Sequence, residues 1–183
     1  MKLFDYVHNT RYRSFKPQVL VLGEKDSGKH SLLNFFYKSM DTVHSRDSDL
    51  IQRLLSLGHE FSILNFNMST ETLDLVQNEQ RVYHGVVLIL DCSNIRGVQN
   101  ALVILKFING RKDLSDLPLL IFSNKIDNAN SLDLLSVISF LKVEESLDKK
   151  MFICPVSCKE ARGDVLRSFK WLLEAIFAKD SDL

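Results

Sequence analysis

Short apolar runs alternate with helical patterns along most of the 183-residue chain. Five runs have the length and composition of buried strands: 18–22, 61–66, 86–91, 119–123 and 151–156. Apolar residues recur with helical spacing over four other segments: 31–39, 97–109, 131–141 and 164–178. Alternation of this kind predicts crossover connections between parallel strands, and therefore an α/β fold.

Two local patterns add detail to this fold. Segments 49–57 and 61–66 are joined by only Gly58-His59-Glu60, which predicts a β-hairpin. Near the end of the chain, apolar residues lie on one face of a helix: Val165, Leu166, Phe169, Leu172, Leu173, Ile176 and Phe177. We expect this face to pack on the sheet.

The composition is typical of a single globular domain. At 183 residues, 45% of them hydrophobic, the chain is long enough to bury a substantial core. The formal net charge is zero and no basic cluster is interleaved with aromatic residues, so nucleic acid is not an expected partner. No apolar run approaches a membrane span, and the N-terminus lacks the apolar core of a signal peptide.

The cysteines also indicate an intracellular protein. Cys92, Cys154 and Cys158 stand near predicted strand ends and suit a reducing cytosol. Cys154 and Cys158 have a C-x3-C spacing without an accompanying cluster of ligands, so a zinc site is not expected.

A glycine-containing segment directly after the first apolar run carries the strongest chemical signal. It reads Gly23, Glu24, Lys25, Asp26, Ser27, Gly28, Lys29 and His30, and Ser31 follows. The segment fits the phosphate-binding pattern G-x-x-x-x-G-K-[ST] except at the last position. The glycines let backbone N–H groups point at phosphate oxygens, the lysine adds a positive charge, and the next helix presents its N-terminus. On this segment alone, an ordinary strand-to-helix turn is the alternative.

The exception at the last position concerns the metal. The Ser or Thr hydroxyl of this pattern normally binds Mg²⁺. His30 has no such oxygen, and Ser31, one residue later, is rotated by about 100° around a helix. A protonated His30 could instead contact a phosphate. The segment therefore predicts phosphate binding with altered metal chemistry.

A second motif concerns the base of the ligand. The apolar run 119–123 leads into Asn124-Lys125-Ile126-Asp127, an N-K-x-D sequence at the carboxyl end of a strand, where open α/β sheets bind ligands. The carboxylate of Asp127 can accept from both the N1–H and the 2-amino group of guanine, a pair of donors that adenine lacks. Asn124 can bridge to neighbouring loops, and the stem of Lys125 can lie along the base. A plain turn is the alternative, but two motifs in this order favour guanine nucleotide.

A weaker element follows the last predicted strand. The loop there begins with Ser157, Cys158 and Lys159. One of its amides could contact the guanine from behind.

These residues resemble the small GTPases, and among them the ADP-ribosylation factor (Arf/Arl) family. The closer similarity lies in 85–93, in 117–127 and in the final helix around Trp171-Leu172. The resemblance implies a P-loop NTPase small-GTPase fold, with a six-stranded, mostly parallel sheet and helices on both faces. The predicted hairpin stands where this family has its interswitch hairpin.

The resemblance also suggests how the chain is divided. An N-terminal segment, 1–16, precedes an Arf-like domain at 17–179, and a short acidic tail, 180–183, follows it. Leu3, Phe4 and Val7 give the first segment a short apolar stripe that could lie on an anionic membrane surface as an amphipathic helix. A helix packed on the domain, or a frayed leader, is the alternative.

The chain departs from the family around the terminal phosphate. The family carries a D-x-x-G-G-Q sequence whose Asp reaches Mg²⁺ through water, whose first Gly senses the γ-phosphate and whose Gln orients the attacking water. An ungapped match places Asn65, Met68 and Thr70 at these positions. The family's switch Thr should fall within 42–50, a polar and charged segment without a P-T context, where a solvated loop is expected.

The expected function follows from what is kept and what is changed. The resemblance implies GTP or GDP as the ligand and effector or regulatory proteins as partners. Because phosphoryl transfer depends on positioning and metal electrostatics, the changes predict weak or no intrinsic GTP hydrolysis, a weakened use of Mg²⁺ and no assignable catalytic residue. Two alternatives stay open: a nucleotide-free pseudo-GTPase scaffold, and a GTPase that takes catalytic groups from an activating partner.

The expected location is cytoplasmic, with peripheral contact on endomembranes through the N-terminal segment and a role in intracellular trafficking. Residue 2 is Lys and not Gly, so N-myristoylation is not expected. Membrane contact through the short apolar stripe alone is therefore expected to be weak.

Overall fold

The computed structural model describes residues 17–32, 34–35, 61–63, 82–143, 150–160 and 164–180. Strands and helices alternate in this part of the chain. In order they are β1 (Val19–Leu22), α1 (29–32 and 34–35), β2 (Phe61–Ile63), β3 (Gly85–Asp91), α2 (Ile95–Gly110), α3 (Lys112–Ser115), β4 (Leu119–Asn124), α4 (Leu134–Leu141), β5 (Met151–Val156) and α5 (Val165–Asp180).

The five strands form one sheet in the order β2-β1-β3-β4-β5, and every neighbouring pair is parallel. The predicted α/β fold with a parallel sheet is therefore confirmed. The first strand of the predicted hairpin, 49–57, lies outside the described residues, so the sixth strand stays a prediction. Because the strands all run in one direction, the loops that follow β1, β3, β4 and β5 leave the same edge of the sheet.

The core has two parts, one on each face of the sheet. Alternate residues of β1 and β3, such as Leu20 and Leu88, face α2 and α4, whose buried side chains include Ile104 and Val137. The intervening strand residues pack against α1 and α5. There the ring centroids of Phe122 and Phe169 are 5.5 Å apart. Strands covered on both faces read as continuous apolar runs, which is why β1, β3 and β4 were recognisable in the sequence.

The face predicted for the last helix is also confirmed. Its apolar residues are buried or partly buried in the cluster on the α5 side of the sheet: Val165, Leu166, Phe169, Leu172, Leu173, Ile176 and Phe177. Trp171 packs at the margin of this cluster, where its ring stacks on Phe152 of β5 with 5.4 Å between centroids.

Helix boundaries differ from the predicted ones where polar side chains cap them. Asn94 accepts from the N–H of Gly97 at 2.9 Å, and α2 begins at Ile95 rather than at residue 97. Asp133 accepts from the N–H of Ser136 at 2.9 Å, so α4 begins at Leu134 and residues 131–133 are not helical. In both cases the capping residue has extended backbone that a helix cannot continue through.

Among the described residues, no helix is both long enough and apolar enough to cross a membrane.

Candidate functional site

The loop between β1 and α1 has the backbone of a phosphate cradle. Asp26 and Gly28 both have positive φ, at 63° and 110°, and the N–H of Ser27 donates to the carbonyl of Glu24 at 3.2 Å. Alternation between right- and left-handed backbone directs successive N–H groups into one concavity. At Gly23 a Cβ atom would lie 2.5 Å from the carbonyl oxygen of Ile89, so this position also has no room for a side chain.

Lys29 lies beneath this loop rather than in solvent. Its ammonium group donates to the carbonyls of Gly23 at 2.7 Å and Glu24 at 2.6 Å, and the side chain is 3% exposed. Burial lowers the pKa of Lys29 from its ordinary 10.5 to about 8, although the carboxylates of Asp26 and Glu24 act in the opposite direction. The charge of Lys29 is thus poorly solvated, which favours an anionic ligand near it.

His30 and Ser31 occupy the first turn of α1, and both are exposed. The N–H of Leu32 donates to the carbonyl of Gly28 at 2.9 Å, which fixes the start of this helix directly after the cradle. Lys25 and Asp26 are exposed at the outside of the loop. Residue 30 is helical, as the start of α1 requires, but its side chain lacks the hydroxyl that the phosphate-loop pattern provides for Mg²⁺.

Asn124 connects the three loops that carry the predicted site. Its side-chain N–H donates to the carbonyl of Ser27 at 2.8 Å, and its side-chain oxygen accepts from the N–H of Cys158 at 3.0 Å. Asn124 is 3% exposed and Ser27 is 1% exposed, so the phosphate loop is held against the end of β4 by a buried hydrogen bond. The bridging role expected for Asn124 is observed here within the protein.

Lys125 and Asp127 follow at the end of β4. Lys125 has a left-handed backbone, with φ at 73°, and its ammonium group lies 2.6 Å from Oδ2 of Asp91. The N–H of Ile126 donates to the carbonyl of Val156 at 3.3 Å, which holds this turn against the end of β5. Asp127 is half-buried, beside the thiols of Cys92 and Cys158, whose pKa values are raised mainly by burial and to a lesser extent by the negative charge of Asp127.

The loop after β5 completes this edge of the sheet. Ser157 is fully buried and its hydroxyl accepts from the N–H of Glu160 at 3.1 Å, whereas Lys159 is exposed. Burial, with the charge of Asp127 as a second cause, raises the pKa of the Cys158 thiol to about 12. The thiol is therefore neutral near pH 7, and it is the backbone N–H of Cys158 that bonds to Asn124.

Two residues of the site were not expected from the sequence. Asp91, at the end of β3, accepts from the N–H and the hydroxyl of Ser93 at 2.9 and 2.6 Å besides its ion pair with Lys125. Burial by itself would raise the pKa of Asp91, but the hydrogen bonds from Lys125 and Ser93 keep it below the ordinary value. Cys92 donates from its thiol to the carbonyl of Asn124 at 2.9 Å. The sequence contained one signal for this pair: a polar residue, Asp91, stands at the end of the apolar run that forms β3.

The residues present at this edge of the sheet fit a nucleotide. The cradle, the buried cation of Lys29 and the half-buried carboxylate of Asp127 lie at one edge of the sheet, as phosphates and a guanine base require. Within the described ranges no group of three or more His, Cys, Asp or Glu side chains could hold a metal ion. Asn65, Met68, Thr70 and the segment 42–50 lie outside the described residues, so their predicted roles stay predictions.

Comparison with models of protein families supports the same assignment. The model of the ADP-ribosylation factor family matches residues 3–176, which is nearly the whole chain. Together with the parallel sheet and the phosphate loop between β1 and α1, this match identifies an Arf-like GTP-binding protein of the P-loop small-GTPase fold. The chain belongs to the ADP-ribosylation factor family.

Proposed function

We propose that this protein binds GDP or GTP in the cleft formed by the loops after β1, β4 and β5, and that it hydrolyses GTP weakly or not at all. The observation that carries the proposal is the position of Asn124. It bonds to Ser27 of the phosphate loop and to Cys158 of the loop after β5. A single buried side chain thus holds the phosphate cradle and the expected base-binding loops together.

The base assignment depends on Asp127. A half-buried carboxylate at the end of β4 accepts two hydrogen bonds from guanine, whereas adenine would leave it unpaired at a cost of about 1–3 kcal/mol or more. The backbone N–H of Cys158, held by Asn124, lies in the neighbouring loop. In this proposal Ser157, Cys158 and Lys159 form the wall behind the base.

The proposed loss of hydrolysis depends on residue types around the terminal phosphate. His30 stands where the phosphate-loop pattern has a hydroxyl, and Asn65, Met68 and Thr70 stand where the family has Asp, Gly and Gln. The groups that position Mg²⁺ and the attacking water in phosphoryl transfer are therefore replaced together. Reduced dependence of nucleotide binding on Mg²⁺ is part of the same proposal.

Proteins of the ADP-ribosylation factor family act through effector and regulatory proteins. We extend this to the present chain as a cytoplasmic protein of intracellular trafficking, with peripheral contact on endomembranes through residues 1–16. Lys2 takes the place of the glycine that N-myristoylation requires, so any such contact would lack that lipid.

The direct test is chromatography of the nucleotide released from purified protein, followed by titration with GDP and GTP with and without Mg²⁺. We expect bound guanine nucleotide, micromolar or tighter affinity, and similar values in the presence of a chelator. A protein that carries no nucleotide and takes up neither ligand would be the scaffold with an empty cleft. Phosphate release at the rate of an ordinary small GTPase would refute the loss of hydrolysis.

The base assignment has its own test, in Asp127→Asn. The amide keeps an acceptor for N1–H but turns a donor toward C2, so guanine loses a partner while xanthine, with a carbonyl at C2, gains one. We expect GDP affinity to fall by about a hundredfold or more and xanthosine diphosphate to bind in its place. Asp113→Asn, an exposed carboxylate in α3, is the matched control and should change neither affinity.

A further inference from the structure

We propose that Asp91 is a positioning residue for nucleotide binding: it holds the ammonium group of Lys125 so that the stem of Lys125 is fixed over the site of the purine ring. This inference rests on the proposed function and adds to it a residue that neither nucleotide-binding motif contains. Asp91 would act on the flat face of the base through Lys125, whereas Asp127 would bond to the edge of the base.

The ion pair is short and well supported. Nζ of Lys125 lies 2.6 Å from Oδ2 of Asp91, and the Asp91 side chain is 13% exposed against 34% for Lys125. The other carboxylate oxygen accepts from both the N–H and the hydroxyl of Ser93. A carboxylate fixed by two donors from Ser93 is a rigid anchor, and the lysine is the partner that reaches toward it.

The backbone on both sides of this pair is also fixed. Asp91 and Asn124 are register partners at the ends of β3 and β4, and the N–H of Cys92 donates to the carbonyl of Asn124 at 3.0 Å. Lys125 has φ at 73°, a conformation that is unfavourable for a residue with a side chain and persists only where neighbours determine it. The chain is therefore held so that Lys125 leaves β4 next to Asp91.

Pairing with Asp91 also disfavours Lys125 as a ligand for the phosphates of the nucleotide. Its positive charge is matched by a nearby carboxylate, so phosphate binding is left to Lys29 and the backbone of the cradle. Since four methylene groups of a lysine can cover apolar surface while its charged end is bonded elsewhere, the remaining role is contact with the flat face of the base. Such a contact contributes equally to nucleotides with any number of phosphates.

The experiment measures the affinity of Asp91→Asn for GDP, GMP and guanosine by competition against a fluorescent guanine nucleotide. We expect all three to weaken by a similar factor, about tenfold, because the charge-assisted bond that fixes Lys125 is lost. Asp91→Glu, which keeps the charge, should recover part of the loss. Combining Asp91→Asn with Lys125→Met should weaken binding no further than Asp91→Asn alone, since the two residues act as one unit.

Asp113→Asn is the matched control, because it removes a carboxylate from an ion pair of the same length, 2.6 Å, between Asp113 and Arg111. It should leave all three affinities unchanged. A loss in Asp91→Asn that is confined to GDP would overturn the proposal, since Lys125 would then act on phosphates. Unchanged affinities with a lowered melting temperature would also overturn it and leave Asp91 a purely structural residue.

Failure of the proposed function gives a different result. If the wild-type protein binds none of the three ligands, guanine-nucleotide binding fails, and the positioning role with it. If the wild-type protein binds them and Asp91→Asn binds them equally well, only the positioning role fails. Acetylation of Lys125 by acetic anhydride, followed by mass spectrometry, reports the ion pair without any ligand and should increase in Asp91→Asn.

Discussion

The side chain of Asn124 occupies the space that a side chain at Gly28 would need: a Cβ atom at residue 28 would lie 2.0 Å from Nδ2 of Asn124. Gly28 also has φ at 110°, which other residues rarely adopt. The phosphate loop can therefore approach the end of β4 only with glycine at this position. The same side-chain nitrogen of Asn124 donates to the carbonyl of Ser27, the residue before Gly28.

This relationship predicts coupling between the two positions. Gly28→Ala should lower the free energy of unfolding by about 2–4 kcal/mol, through backbone strain and the clash with Asn124. Asn124→Ala should cost about 2–4 kcal/mol, because it leaves a buried carbonyl and a buried N–H without partners. Since Asn124→Ala also removes the atom that clashes, the double variant should lose at least about 1 kcal/mol less than the sum.

Urea denaturation followed by the fluorescence of Trp171, the single tryptophan, measures all three variants. Gly110→Ala is the control, because nothing lies within 4 Å of a Cβ atom at that position in α2. It should be neutral or slightly stabilising. Strict additivity of Gly28→Ala and Asn124→Ala would contradict the contact.

The lowered pKa of Lys29 predicts a pH dependence of nucleotide affinity. Phosphates bind the charged ammonium group, and Lys29 in the free protein loses its proton at about pH 8 instead of 10.5. Below pH 8 the site is already charged, so affinity for GDP should be nearly constant there. Above pH 8 binding must take up a proton, so the dissociation constant should rise, by up to about tenfold per pH unit.

Titration with GDP between pH 7 and 8.5, where guanine N1 keeps most of its proton, measures this effect. In Lys29→Arg the guanidinium keeps its charge throughout, so affinity should be lower than in the wild type and should not fall further with pH. A wild-type affinity that is constant up to pH 8.5 would show that burial does not shift the pKa of Lys29 in this way.

The strands and helices were more predictable than the interactions in the site. Local sequence pattern determines the former, whereas residues far apart in the chain meet in the latter. A strand such as β3 is buried on both faces and is visible as one apolar run, and the periodicity of α5 gave its packed face directly. The start of α4 was misplaced because Asp133 fits a helical pattern equally well as a cap or as a first-turn residue. Local pattern alone does not decide between these two.

The ion pair between Asp91 and Lys125 has no local signature at all. The two residues are 34 positions apart, and they meet because the register of β3 on β4 pairs Asp91 with Asn124. The motif sequence identified Lys125 as a residue of the site, but which partner its ammonium group has depends on that register. For Asn124 the motif predicted a bridge to neighbouring loops, but its partner Ser27, 97 positions away, could not be named from the sequence.

The cysteines predict a simple chemical result. Cys92, Cys154 and Cys158 are all buried and form no disulfide, and burial raises the pKa of both Cys92 and Cys158. Since the thiolate is the reactive form, a thiol reagent such as Ellman's reagent should titrate fewer than one thiol in the native protein at pH 8. In denaturant it should titrate all three. Rapid reaction of the native protein would show that the strand ends around Asp127 open readily.

The effect of His30, which replaces the Ser or Thr of the phosphate-loop pattern, can be tested by restoring a hydroxyl at this residue. His30 lies in the first turn of α1, directly after Gly28 and Lys29. His30→Thr places an oxygen where the phosphate-loop pattern has a Mg²⁺ ligand. We therefore expect GDP affinity in this variant to become about tenfold tighter with Mg²⁺ than with a chelator, a coupling of the usual size between two ligands, while the wild type changes by less than about threefold.

Ser31→Ala tests whether the hydroxyl of Ser31 already serves as the Mg²⁺ ligand that residue 30 lacks. Ser31 is exposed one residue further along the helix, and a hydroxyl there faces another direction. If Ser31 supplied the missing oxygen, the wild type would already depend on Mg²⁺ and Ser31→Ala would abolish that dependence. We expect Ser31→Ala to behave like the wild type with and without chelator. A His30→Thr variant that stays indifferent to Mg²⁺ would show that residue 30 does not by itself determine the metal dependence, and that segments beyond the loop control it.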